Sequence, residues 1–140
     1  MDSRAFIKAA EALSPASLDT LTNFYAENAI FTDPFQTVNG RPAIRRVYAA
    51  MFDNLDAPRF KDVRVLASPG NAQLMLRWTF EFALKRQGTR QSIDGTSLLE
   101  FDAQGLVTRH TDFWDASRLM QGLPLIGPLI GWIRRKIAHA

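Results

Sequence analysis

Near residue 60 the hydrophobic pattern of the chain changes its period from that of a helix to that of a strand, which restricts the fold more than any other feature. Before the switch, Asp2 or Ser3 caps a helix that buries Phe6, Ala10 and Leu13. Ser14-Pro15 ends it and opens a second helix, with Leu18, Leu21, Phe24 and Tyr25 on one face. Asn39-Gly40 marks a turn, and Pro42 opens a third helix carrying Ile44, Val47, Tyr48, Met51, Phe52 and Leu55 at helical spacing. Residues 29–33, stopped by Pro34, read as a short strand. After the switch, residues 61–68, 73–85, 91–102 and 106–115 read as strands. Pro69-Gly70-Asn71, Arg86-Gln87-Gly88 and Asp102-Ala103-Gln104-Gly105 separate them as hairpin connections. Helices followed by an antiparallel meander predict an α+β fold, one curved sheet with helices on one face. A single domain over residues 1–118 is expected, followed by a tail over 119–140.

Strand parity predicts which side chains meet. His110, Asp112 and Trp114 share one face of the last strand, Ser97 and Leu99 share a face of the strand before it, and Trp78, Phe80 and Phe82 form an apolar face earlier. Arg77, Thr79 and Glu81 face the other way. A sheet with apolar residues on both faces is expected to be covered on both, by helices on one side and by a second copy of the chain on the other, as a homodimer.

Composition narrows the chemistry. The chain has no cysteine, which removes thiolate metal sites, disulfides and cysteine nucleophiles. His110 has only His139 as a fellow histidine, so no metal ligand set is expected. The glycines at positions 70, 88 and 105 sit in turns and form no phosphate loop, and no cofactor is expected. The formal charge is +3, and Arg134, Arg135 and Lys136 account for all of it. The remaining body is neutral, which argues against a nucleic-acid partner. Met1-Asp2-Ser3-Arg4 leads into no signal-peptide stretch, so the expected compartment is the cytoplasm.

The stretch from Tyr25 through Asp33-Pro34-Phe35, the turn Gly40-Arg41-Pro42, the hairpin Asp102-Ala103-Gln104-Gly105 and the closing Phe113-Trp114-Asp115 together resemble the nuclear transport factor 2-like superfamily. The similarity is to its ketosteroid isomerase and SnoaL-like polyketide cyclase branch, over roughly residues 5–116. This resemblance implies a cone: a bent antiparallel sheet wrapped around N-terminal helices, with a pocket at the wide end. It also implies a small-molecule enzyme that moves a proton with carboxylates on an apolar, steroid- or polyketide-like carbonyl compound. Asp33 falls on the isomerases' general base, in an environment supplied by Phe31 and Phe35. The two oxyanion donors of steroid isomerases are replaced: Ser97 stands where an aspartic acid is expected, and the first helix offers Phe6, Ala9 and Ala10 where a tyrosine is expected. Asp112 with His110 is the expected acid/base partner of Asp33, Ser97 a donor, and Trp114, Trp78 and Phe80 join Phe31 and Phe35 around the ligand.

Other readings of the same residues remain. Asp33 before Pro34 also fits a turn-initiating role, and His110 with Asp112 also fits a buried pair whose members satisfy each other. An epoxide hydrolase-like activity has an equivalent for its last-strand aspartate in Asp112, but Thr79-Phe80-Glu81 stands where it needs Arg-x-Asp. A non-catalytic ligand-binding or scaffolding module on the same fold is the further alternative. The tail is apolar from Leu119 to Ile133 and then basic. It is expected to form a lid or packing helix starting at Pro128, with peripheral membrane contact through Trp132 and the basic trio as the alternative.

Overall fold

The computed structural model describes residues 1–85, 88–123 and 126–138. Helix α1 (Ser3–Glu11) begins at Asp2, whose carboxylate accepts from the Ala5 amide at 3.1 Å. A 3-10 turn (Pro15–Ser17) leads into the short α2 (Leu18–Thr22). Helical spacing predicts Phe24 and Tyr25 on the same helix, but α2 stops at Thr22 and Tyr25 opens strand β1 (Tyr25–Thr32). Tertiary pairing is the cause. The Phe24 carbonyl accepts from the Val107 amide at 2.8 Å, and the Tyr25 carbonyl accepts from Arg41 Nε at 2.9 Å. Both acceptors are thereby taken from any continuing helix.

Asp33-Pro34-Phe35 does not end an isolated strand. It turns the chain into β2 (Thr37–Asn39), a strand the sequence pattern did not suggest. Gly40 then adopts φ +95°, a region that favours glycine, while its amide donates to the Ala29 carbonyl at 2.7 Å. Helix α3 (Arg41–Asn54) follows, with Pro42 in its first turn. Leu55, expected as the last apolar position of this helix, instead begins strand β3 (Leu55–Ala67) and pairs with Leu84. Pro58 would break a continued helix, and it is tolerated in β3 because that strand lies at the sheet edge.

Strands β4 (Gln73–Leu84), β5 (Arg90–Phe101) and β6 (Val107–Phe113) complete a six-stranded sheet in the order β2-β1-β6-β5-β4-β3. Of the hairpin Arg86-Gln87-Gly88, the first two residues lie outside the described ones. The sheet is antiparallel except for β1 on β6, which run parallel. This pairing lays the earliest strand beside the latest, with the helices packed between the sheet's two halves. The result is an α+β cone with an unclosed, curved sheet. Curvature is concentrated in β3, where Ala57 and Asp62 have φ of 45° and 53° and the register with β4 shifts at three places.

The core fills the inside of the curve with Leu21, Tyr25, Phe31, Ile44, Leu76 and Leu99, all at most 2% exposed. A second cluster, Phe82, Leu84 and Ile93, is joined by Leu55, Trp114, Leu119 and Leu123. The outer face carries ion pairs across strands, Glu81 with Arg59 and Lys61, Arg77 with Asp94, and Arg109 with Glu100. Such exposed pairs contribute little to stability. Helices α4 (Ala116–Gln121) and α5 (Gly127–Ala138) follow the sheet, and no helix among the described residues is long and apolar enough to cross a membrane.

One close approach fixes the orientation of an interior side chain. A methyl group on Gly95 would lie 2.6 Å from Cζ2 of Trp78, so the indole rests directly on the β5 backbone. Gly95→Ala is expected to push Trp78 off its position and to lower stability by about 1–3 kcal/mol. Urea unfolding of the two proteins checks this, and an unchanged midpoint would count against the close-packed ring.

Candidate functional site

Five elements each deliver one or two polar side chains to the inside of the cone. On β6, His110 and Asp112 are two residues apart and so point to the same inner face. Ser97 on β5 stands opposite Asp112 in register, and Leu99 opposite His110. Trp78 comes from β4, Tyr25 from β1 and Tyr48 from α3.

These six side chains form one continuous hydrogen-bonded chain. Tyr48 Oη lies 2.9 Å from Tyr25 Oη, and Tyr25 Oη lies 2.7 Å from His110 Nδ1. His110 Nε2 is 2.5 Å from Asp112 Oδ1. From the other side, Trp78 Nε1 donates to Ser97 Oγ at 2.8 Å, and Ser97 Oγ donates to the same Asp112 oxygen. The ends set the direction of the arm from Trp78 through Ser97 to Asp112. Indole N–H can only donate and a carboxylate can only accept. In the tautomer whose Nε2 donates to Asp112, Nδ1 accepts from Tyr25, and Tyr25 accepts from Tyr48. All the donors then point toward one oxygen of Asp112.

Burial keeps the two phenols in their donor form. It pushes the ionisation of Tyr25 well above its ordinary range, helped by the neighbouring Tyr48 and by the Asp112 charge. Tyr48 is raised by burial first and by the Asp112 charge second. The Tyr25 ring also stacks on His110, with centroids 5.9 Å apart and 8° between planes.

A cavity of about 250 Å³ opens on the far side of Asp112. Phe31, Trp78, Phe80, Phe82, Ile93 and Trp114 supply much of its wall, with Val47, Tyr48 and Met51 from α3 and Leu119 from α4. Asp112, with a side chain 12% exposed, is a carboxylate on this wall. Both of its side-chain hydrogen bonds land on Oδ1. No fully buried polar side-chain atom among the described residues lacks a partner, so Oδ2, for which none is seen there, is accessible.

The residues singled out from the sequence fall into two groups. Asp112, Trp114, Phe31, Phe35, Trp78, Phe80 and Asp33 line the cavity, whereas His110 and Ser97 stand behind Asp112, around a smaller void of about 30 Å³. Asp33 sits on the β1–β2 turn, and its carboxylate is occupied there. Oδ1 accepts from the amides of Phe35 and Gln36 at 2.8 and 3.0 Å, and Oδ2 from Gln36 Nε2 at 3.2 Å. Phe35 is half exposed and meets Trp114 edge to face at 5.4 Å. Glu81 belongs to the outer-face ion pairs, and Thr79 donates to Asp94 there. Sequence reasoning missed Tyr25 and Tyr48 as polar members of the site, because each reads as an apolar helix position. The usable signal was that a buried phenol needs a hydrogen-bond partner and that these are the only two tyrosines in the chain. Among the described residues, no cluster of three or more His, Asp or Glu side chains is arranged to hold a metal ion.

Residues 4–110 match the family described as the SnoaL-like domain. The chain belongs to this family. No curated protein matches it. Among solved structures it is similar to a protein of ketosteroid isomerase-like fold from Catenulispora acidiphila, crystallised with trimethylamine, at 17% identity and TM-score 0.72, covering 86% of this chain and 92% of that one. It is similar to a protein assigned as a polyketide cyclase from Xanthomonas campestris at 16% identity and TM-score 0.69, covering 83% and 89%. It is also similar to SalBIII, an epoxide hydrolase/cyclase-like enzyme in pyran ring formation in the polyether salinomycin, at 17% identity and TM-score 0.65, covering 81% and 86%. At such identities the likeness establishes the fold of this SnoaL-like domain.

The buried phenols make a spectroscopic prediction. A free tyrosine ionises near pH 10, and both native values are raised. The unfolded chain therefore loses its phenolic protons first, so the tyrosines' contribution to stability is intact below pH 10 and declines as the pH rises above it. Ultraviolet titration of the native protein is expected to show no tyrosinate absorbance around pH 10. Both phenols should appear together, in the same step as the loss of secondary structure. Tyrosinate formed before unfolding would contradict the buried pair.

Proposed function

We propose that this SnoaL-like domain removes a proton from carbon next to a carbonyl group in an apolar, polyketide-like compound, with Asp112 as the base. The observation that carries the reading is the asymmetry of the Asp112 carboxylate. Oδ1 is held by His110 and Ser97, while Oδ2 remains accessible beside an apolar cavity. Fixing one oxygen leaves the other aimed without a cost of orientation at the moment of reaction. Oδ2 takes the proton, the C–H electron pair moves toward the carbonyl oxygen as an enolate, and the proton returns to the same or another carbon. An enolate that attacks a second carbonyl carbon of the same molecule closes a ring instead: the C–C bond forms as that C=O π bond opens to an alkoxide, which takes the proton back from Asp112.

The donor inventory favours one substrate class over another. A simple ketone forms an enolate whose single oxyanion needs strong donors, each worth about 3–4 kcal/mol. Here the Ser97 hydroxyl is spent on Asp112, the Trp78 N–H on Ser97, and both phenols on the His110 side of the chain. A β-dicarbonyl compound spreads the negative charge over two oxygens of its own and depends less on the protein. Polyketide-like compounds therefore suit this site better than steroid ketones. Asp33, at the exposed end of the cavity, serves as the second carboxylate, and Phe31, Phe35, Trp78, Phe80 and Trp114 hold the apolar body of the ligand.

Proton–deuteron exchange in heavy water, followed by nuclear magnetic resonance on a panel of β-dicarbonyl and steroid ketones, tests this without knowledge of the product. The protein should accelerate exchange on β-dicarbonyl members, and Asp112→Asn should reduce that acceleration roughly 100-fold or more while ligand binding persists. Asp33→Asn should reduce it less. Saturable binding with no exchange on any compound, or full exchange in the Asp112 variant, would sink the proposal and leave a ligand-binding module.

A further inference from the structure

Helix α5 turns its side chains in an unusual sense. It meets α4 through its smallest residues, Gly127 and Gly131, which are buried, and a methyl on Gly127 would lie 3.0 Å from the carbonyl carbon of Gln121. Arg134 continues this seam, donating to Gln121 Oε1 at 2.8 Å and lying 3.6 Å from the Asp115 carboxylate. The large apolar residues are on the other side. Leu129, Trp132, Ile133 and Ile137 are 54%, 52%, 38% and 72% exposed, and with Ile126 they follow helical spacing along a single row. A contiguous exposed row of this kind marks an interaction surface.

Charge identifies what the row meets. From Leu119 to Ala138 the sequence contains no acidic residue, while Arg118 precedes the segment and Arg134, Arg135 and Lys136 fall within it. Arg135 and Lys136 have no carboxylate partner among the described residues, and Lys136 Nζ lies 5.7 Å from the centre of the Trp132 ring. A tryptophan at the edge of an apolar row, with free cations beside it, has the chemistry of a helix lying in the headgroup layer of an anionic bilayer. With 12 residues the helix is too short to span one. We propose that α5 docks the protein on an anionic lipid surface, its apolar row in the headgroup region and Arg135 and Lys136 on the lipid phosphates. The neighbouring α4 supplies Leu119 to the cavity wall, so docking would bring that wall close to the bilayer as a source of apolar ligand. This docking does not depend on the chemistry proposed for Asp112.

Flotation of the full chain with vesicles of phosphatidylcholine, alone or mixed with phosphatidylglycerol, tests the proposal. The protein should float with the mixed vesicles at low salt and remain unbound with phosphatidylcholine alone. Each surface cation contributes about fivefold, so Arg135→Gln with Lys136→Gln should weaken partitioning roughly 25-fold. Trp132→Ser with Ile133→Ser should abolish it. Both variants replace exposed side chains and should keep the parent's circular dichroism and melting temperature. Failure of the parent to float with anionic vesicles, or equal flotation of the charge variant, would overturn the proposal. So would a dimer in sedimentation that the Trp132/Ile133 variant dissociates, since the row would then belong to a second copy.

Discussion

The hydrogen bond between His110 and Asp112 is the interaction on which the interior of this cone depends. An imidazole and a carboxylate side by side in a core of Phe31, Leu76 and Leu99 would each be costly without a partner. Here each is satisfied, and the satisfaction propagates: His110 orders Tyr25, Tyr25 orders Tyr48, and Asp112 orders Ser97 and through it Trp78. The chain therefore ties α3, β1, β6, β5 and β4 together across the fold. A polar network whose fully buried atoms all have partners specifies one arrangement of these elements, because a slip leaves a buried donor or acceptor unpaired.

The same network separates two spaces of unequal size. Behind Asp112, near His110 and Ser97, lies a void of about 30 Å³. In front of it, the cavity is several times larger and walled mainly by aromatic and aliphatic side chains. Sheet curvature makes this possible. The bulges at Ala57 and Asp62 bend β3, so that Phe60 meets Trp78 and Phe80 at ring distances of 5.3 and 4.9 Å and closes one side of the cavity.

Much of the fold was legible in the sequence because the period switch is a local signal. The β-meander, the α3 start at Gly40-Arg41-Pro42 and the common face of His110, Asp112 and Trp114 all follow from spacing. What was not legible depends on distant partners. Tyr25 reads as helical until Val107 and Arg41 take the neighbouring carbonyls, and Leu55 reads as helical until β4 pairs with it. The parallel contact of β1 with β6 joins residues some eighty positions apart, beyond the reach of any local pattern. The site was half visible for the same reason. Parity brought His110, Asp112 and Ser97 together, but the phenols that complete their hydrogen bonds lie on elements whose facing is decided only by packing.

The C-terminal helices show how small residues can decide orientation against hydrophobicity. By burial of apolar area alone, α5 would turn Leu129, Trp132 and Ile133 toward α4, since removing such side chains from water contributes about 1.5–3 kcal/mol each. It presents Gly127 and Gly131 instead. Close backbone approach at the glycines, together with the Arg134 bonds to Gln121 and Asp115, fixes a helix pair in which the large residues have no room at the seam. The formal charge of +3, all of it on Arg134, Arg135 and Lys136, is thus attached to an apolar surface rather than to the neutral cone. In an isolated molecule that arrangement wastes hydrophobic area. Covering the row, as in the lipid docking proposed above, would remove that area from water.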